Sequence, residues 1–225
     1  VTRTEEFQFA TPLKKFCIEV LGLTHDQCYG SDKDRETPTK YKWSWVATAI
    51  REKYGKDPEE TMTARSVLQV VGTDLLRQQF YKDIWAEAAV REAINSTAQT
   101  CILTDTRFPN ELDITRDSEF LGTDFRRSII IRLYRETGLQ DSHDSETALD
   151  IYDLESNQRS ICPNDVQTLV DRGYREVLHH GFWVAERPSL PFDYLIDNNY
   201  TIDTLRDSVD WILQNEGIKQ EPSLS

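Results

Sequence analysis

An acid and a base stand two residues apart in Cys101–Glu111, CILTDTRFPNE: Asp105, then Arg107. Cys101, Ile102, Leu103 and Thr104 read as a short buried strand, and Phe108-Pro109-Asn110 breaks it before Glu111 opens a helix. Open α/β sheets bind ligands outside the carboxyl ends of their strands, so this pair is placed to act on a charged substrate. Arg65 and Gln69 are four residues apart and share one helical face. A guanidinium near a helix start, with an amide one turn on, suits an anionic ligand carrying a hydrogen-bonding ring. The competing reading is a surface arginine with surface partners. Asp74 lies off the same helix's apolar stripe. Lys14 and Lys15 are either phosphate ligands or the solvated face of their helix, and Arg132 and Arg135 straddle the end of another apolar run. His143, Ser145 and Glu146 cluster in a polar loop. No nucleophile elbow accompanies them, so a hydrolytic triad is a poor reading. A hydrogen-bonded clamp or cap outranks a metal site built on His143, Asp144 and Glu146.

The elements that must position these residues follow from periodicity and turn chemistry. Phe7-Gln8-Phe9 is strand-like, and Pro12 sits in the first turn of a helix carrying Leu13, Phe16, Cys17, Val20 and Leu21. Residues 24–42 are polar and turn-rich and read as a loop or the lip of a site; residues 43–54 read as a short helix. Thr63 is a plausible N-cap for a helix whose stripe is Val67, Leu68, Val71, Leu75 and Leu76. Gly72 interrupts that helix at a cost of about 1 kcal/mol, which implies that another backbone or a ligand approaches closely there. A helix over 83–95 leads into the strand at 101–104, the βαβ pattern of a parallel sheet. Ser128–Leu133 is the next buried strand, FDYLIDNN (192–199) the last, and Thr201 starts a final helix with Leu205, Val209, Ile212 and Leu213 facing inward. The expected organisation is an α/β core over 1–150, an insertion over 151–190 with a helix and a Trp-rich turn at Phe182–Val184, a closing strand and helix over 191–216, and a frayed tail over 217–225. His179-His180 reads as a helix end.

Composition narrows the partners. A net charge of −13 over 225 residues argues against wrapping a nucleic-acid polymer, which requires a basic face. An acidic chain that binds phosphate must use a few focused arginines. No apolar run approaches the roughly 20 residues that span a membrane, and no signal-peptide pattern opens the chain, so a cytoplasmic protein is expected. The cysteines at 17, 28, 101 and 162 show no C-x-x-C pair and read as reduced thiols.

Seven blocks, in order, resemble the phage-type deoxynucleoside monophosphate kinases, a family with the P-loop kinase fold. They are FATPLK (Phe9–Lys14), RSVLQVVGTD (Arg65–Asp74), DIW (Asp83–Trp85), TDTRFPNE (Thr104–Glu111), IIIRLYR (Ile129–Arg135), HDSE (His143–Glu146) and DYLIDNN (Asp193–Asn199). The resemblance implies a parallel sheet with flanking helices and Mg²⁺-assisted transfer of the γ-phosphoryl of ATP to a deoxynucleoside monophosphate, chemistry made mostly of positioning and charge neutralisation. It implies that Arg65 and Arg107 hold the acceptor phosphate, that Gln69 and Asp74 lie near the nucleoside, and that Asp105 orients Mg²⁺ through water. Arg132 or Arg135 would meet the transferring phosphoryl, and His143 and Glu146 would shape the site.

One departure stands against these matches. The family's Gly-rich G-x-x-x-x-G-K loop, which cradles the triphosphate, is expected upstream of FATPLK, and these 225 residues contain no such motif. The expectation is therefore a sheet lacking its first strand, with a gap filled by another chain, a rearranged N-terminus or the insertion. Two functions follow: a kinase whose P-loop is supplied from elsewhere, or a non-catalytic relative serving as a nucleotide-binding or structural subunit of a phage assembly.

Overall fold

Thr4–Phe7 forms β1 and Ala10–Glu19 forms α1, so the strand expected at Phe7–Phe9 ends before Phe9, whose place is the N-cap of α1. The computed structural model describes residues 3–117, 127–134, 170, 174–178, 182–185 and 192–218. Arg135, His143, Glu146, His179-His180 and most of 151–190 lie outside the described residues. By its internal contacts the chain divides into two units. The first is Glu5–Ser96 with Cys101–Thr106; the second is Val1–Thr4, Thr97–Thr100 and Arg107–Ser225.

In the first unit the segment expected to be a loop is structured instead. Two capping boxes account for this. Thr24 and Gln27 satisfy each other's backbone N–H at the start of α2 (His25–Tyr29), and Ser31 and Asp34 do the same for α3 (Asp32–Arg35). Gly30 makes the corner between them, since a Cβ there would stand 2.4 Å from the Asp26 carbonyl oxygen and 2.7 Å from Asp34 Oδ2. β2 (Pro38–Lys42) then pairs antiparallel with β3 (Thr61–Thr63). Between them lie a 3₁₀ turn at Trp43–Trp45 and α4 (Thr48–Lys53), so the helix expected over 43–54 is two pieces.

Thr63 caps α5 (Ala64–Gln69), its hydroxyl accepting from Ser66 N–H, as its position predicts. From Val70 to Arg77 the backbone widens into a π-helical segment. Each such turn holds more residues than an α turn, so the inward face drifts along the sequence. Val67 and Val70 stay buried, but Asp74 turns in and Leu75 turns out. α6 (Ile84–Ile94) leads to β4 (Thr100–Leu103), which pairs with β1. Amides of Thr100 and Thr104 donate to carbonyls of Arg3 and Phe7, which makes that pair parallel. The core gathers Cys17, Leu23, Cys28, Trp43, Ile50, Met62, Ala64, Val67 and Val70.

In the second unit Pro109 opens α7 (Pro109–Arg116), where its missing N–H is harmless. β5 (Ile131–Tyr134), β6 (Tyr174–Leu178), β7 (Phe182–Ala185) and β8 (Tyr194–Asp197) form one sheet in the order β5-β8-β7-β6. β5 and β8 run parallel, and the other neighbours are antiparallel. The Trp-rich stretch at Phe182–Val184 is thus a strand rather than a turn. Alternation sends Trp183 and Leu195 to one face with Leu112 of α7. Phe182, Tyr194 and Ile196 go to the other, with Ile212 of α8 (Ile202–Asn215). In α8, Ser208 rather than Val209 faces inward. Together the helices and parallel strand pairs make an α/β fold. Among the described residues, no helix is long and apolar enough to cross a membrane.

Candidate functional site

In the first unit, helices distant in sequence bring cations and an aromatic ring together. α1 packs on α2 and α5, and α3 packs on α2 and α5. Lys14 of α1 places its Nζ 4.5 Å from the centroid of the Tyr29 ring, and His25 stacks on the same ring at 4.8 Å. Such a cation–π contact holds an ammonium without neutralising it. Burial, followed by the Arg35 guanidinium, holds the Lys14 ammonium below the usual lysine range, with Asp105 pulling the other way.

Arg65, in the first turn of α5, extends to α3. Its Nη2 donates to Asp32 Oδ1 at 2.8 Å and its Nε donates to Glu36. Its side chain is 38% exposed, so these pairs are of the solvent-screened kind worth about 0–1 kcal/mol each. The surface-partner reading of Arg65 describes this state, and pairs so weak leave the guanidinium available to a stronger anion. Gln69 stands one turn on and is half-buried.

Asp105 lies two residues beyond β4, where its carboxylate meets the N-terminus of α1. Oδ1 accepts from Phe9 N–H at 2.6 Å and Oδ2 from Ala10 N–H at 3.2 Å. A carboxylate there satisfies orphan donors and complements the helix dipole. Both oxygens are thereby engaged. Among the described residues, no group of three or more His, Cys, Asp or Glu could hold a metal ion. Each oxygen keeps a second lone pair, so a contact to Mg²⁺ through water is chemically compatible with the cap.

Asp74 is inside, 2% exposed, and its carboxylate accepts from Lys53 Nζ at 2.8 Å and Tyr54 OH at 2.7 Å. Burial, followed by Asp74, raises the Tyr54 phenol well above its usual range. Arg107 and Arg132 belong to the second unit. The Arg107 N–H donates to Glu111 at 2.8 Å, and the Arg132 guanidinium lies 5.2 Å from the Phe192 ring centroid. The structure therefore brings Lys14, Arg65, Gln69 and Asp105 together in one unit. Sequence reasoning singled out neither Tyr29 nor Arg35, because it read 24–42 as a loop or the lip of a site. The signal was present: T-x-x-Q at Thr24–Gln27 and S-x-x-D at Ser31–Asp34 are capping-box patterns.

The described residues define an α/β chain in which Lys14, Arg35 and Arg65 come from three different helices. Comparison with known proteins narrows the class. The family model for deoxynucleotide monophosphate kinase matches residues 32–166, more than half of the sequence, and the chain belongs to that family. It is 32% identical over 123 residues to a protein of Acanthamoeba polyphaga mimivirus described as a deoxynucleotide monophosphate kinase, covering 50% of this chain and 55% of that one. It is 25% identical over 134 residues to the deoxynucleoside-5'-monophosphate kinase of Escherichia phage T5, covering 54% and 51% respectively. The chain spans about half the length of the curated relatives it matches.

Proposed function

We propose that this chain carries the acceptor side of a deoxynucleoside monophosphate kinase, binding a dNMP and receiving the γ-phosphoryl of ATP onto it when a P-loop is supplied. The observation that carries the reading is the packing of α1 on α5. That contact sets the helices carrying two blocks, FATPLK and RSVLQVVGTD, against each other, which supports a shared role for Lys14, Arg65 and Gln69. In this reading Arg65 takes the acceptor phosphate and Gln69 the nucleoside. Arg107, Arg132 and Arg135 act on phosphoryl groups, and His143 and Glu146 shape the site. Asp74 serves the nucleoside side indirectly, by fixing the π-helical segment that follows Gln69. Kinases of this family use ATP with Mg²⁺, and because Asp105 is already shared between two amides no step here is routed through the metal.

The P-loop part of the reading draws support from the strand edges. Among the described residues β4 has β1 as its neighbour, and β5 has β8. Ile102 of β4 is 45% exposed; Ile131 and Leu133 of β5 are 41% and 54% exposed. Apolar side chains on strands with an open edge are places where a further strand and its helix are accommodated.

The test is a kinase assay with Mg-ATP and each dNMP, run on this chain alone and with a polypeptide bearing G-x-x-x-x-G-K. Transfer that depends on the added P-loop, and that Arg65→Ala and Arg107→Ala each reduce, is the expected result. Tight dNMP binding with no transfer under either condition would favour the non-catalytic, nucleotide-binding reading.

A further inference from the structure

An acid at position 74 is out of keeping with its surroundings. Asp74 is buried on a stretch whose Val67 and Val70 pack into an apolar core. Burying a carboxylate is unfavourable unless it is paired and hydrogen-bonded, and an apolar side chain often fills such a place at lower cost. What the ionic contact adds is direction, since it forms in one backbone register only. Asp74 meets its partners on consecutive residues at the end of α4. Lys53 Nζ donates to Oδ1 at 2.8 Å and Tyr54 OH donates to Oδ2 at 2.7 Å. The Tyr54 ring is itself set against buried Trp43, with centroids 5.3 Å apart. Two further elements grip the same segment: the Trp85 indole of α6 donates to the Gly72 carbonyl, and Leu13 of α1 lies where a Gly72 side chain would be. All four contacts fall on Val70–Arg77, whose π-helical turns are wider than the α-helical turns with which they compete.

We infer that Lys53 and Tyr54 are positioning residues for the nucleoside end of the acceptor site, clasping Asp74 to lock the wide helical register and so fix the direction of Gln69. This rests on the reading of Gln69 as the residue that meets the nucleoside, and it adds two residues that lie in none of the seven sequence blocks. The mechanical link is short. Gln69 is the last residue of α5, and the backbone runs from it into the π-helical segment without a break. Taking one residue out of the wide turns shifts the helical phase by about 100°. The clasp opposes that shift, because outside the wide register the Asp74 carboxylate would lose its donors while still buried. Burial, followed by Asp74, keeps the Tyr54 phenol protonated and therefore a donor. Lys53 is 55% exposed, so its contact is the more screened of the two. Arg65 sits one turn farther off, beside the Thr63 cap that fixes the start of α5, so a loosened clasp disturbs Gln69 first.

The test is isothermal titration calorimetry on the full chain with dNMP and with 2-deoxyribose 5-phosphate, which carries the sugar and phosphate without the base. The ratio of the two affinities is the readout. Gln69→Ala should lower the preference for dNMP by about tenfold. Tyr54→Phe should approach that loss, Lys53→Met should show part of it, and Lys53→Arg should restore most of the preference. In a Gln69→Ala background neither Tyr54→Phe nor Lys53→Met should lower the ratio further. Ile50→Val thins the core under α4 without touching the clasp, so it should reduce stability and leave the ratio unchanged. The double variant Asp74→Leu with Tyr54→Phe replaces the clasp by apolar packing, and should stay folded yet lose the preference. A wild-type ratio in these clasp variants, or a fall in ratio that is the same with and without Gln69, would overturn the positioning role and keep the dNMP-binding reading. Equal affinity of the wild-type chain for both ligands would overturn the role of Gln69 and the inference with it. Binding of neither ligand would overturn the dNMP-binding reading itself.

Discussion

Asp105 shows how one carboxylate can carry a structural and a chemical assignment at once. It stands at the carboxyl end of β4, where ligand chemistry is expected, yet its oxygens hold the first amides of α1. Removing an N-terminal cap typically costs about 0.5–2 kcal/mol. Asp105→Ala should therefore lower the unfolding free energy from urea titration by that amount, while Asp105→Asn, which keeps one oxygen, should lose less. An Asp105→Asn variant of normal stability that loses phosphoryl transfer would show a role beyond capping; an alanine variant of unchanged stability would contradict the cap. Asp74 is the contrasting residue, because its bonds to Lys53 and Tyr54 commit it to the interior. Its side-chain type suggested ligand contact, and only the phase of the widened helix reveals where it points.

At the scale of elements, Gly72 explains how α1 and the π-helical segment come close. A Cβ at Gly72 would lie 2.5 Å from Leu13 Cδ2, and the Gly72 carbonyl accepts from the buried Trp85 indole at 2.9 Å. The neighbour is the Leu13 side chain, not the backbone or ligand expected at this glycine. Gly72→Ala should destabilise by about 1–3 kcal/mol through overpacking, offset in part by the helix preference of Ala. In a Leu13→Ala background the penalty should shrink, and a double-mutant cycle from urea titrations reads the coupling directly. Additive losses would mean that Leu13 is not what the new methyl meets. The first turn of α6 makes a pH-dependent contribution. Tyr81 OH donates to Glu87 at 2.5 Å, and this bond, then Arg91, holds the Glu87 carboxyl below its usual range. A depressed folded pKa contributes stability above the ordinary carboxylate range, and that stability is lost as pH falls through the folded value. Tyr81→Phe should thus be less stable than wild type at pH 7, and the gap should close in acid. A gap independent of pH would rule out the linkage.

At the scale of the whole molecule, the open strand edges bear on whether this chain acts alone. Ile102 and Leu133 are exposed, so Ile102→Arg and Leu133→Arg should each change stability by no more than about 0.5 kcal/mol. Each should nevertheless weaken rescue of phosphoryl transfer by a separate P-loop-bearing segment, measured as the segment concentration giving half-maximal activity. Unaltered rescue would show that neither strand receives it.

The sequence alone determined the family, through motif order, and most of the regular elements. The Thr63 cap, the strand at 101–104, the 194–197 strand and the Thr201 start of the last helix all follow from local rules of period and capping, which neighbouring residues satisfy among themselves. Capping boxes in 24–42 were legible by the same rules and went unread. Only the tertiary structure decided that the Trp-rich stretch pairs as a strand, that a π-helical widening turns Asp74 inward and Leu75 outward, and that Arg65 reaches Asp32 and Glu36. These outcomes depend on which surfaces compete for burial and which carboxylates are already taken. Those are contacts between residues far apart in the chain, and no local pattern encodes them.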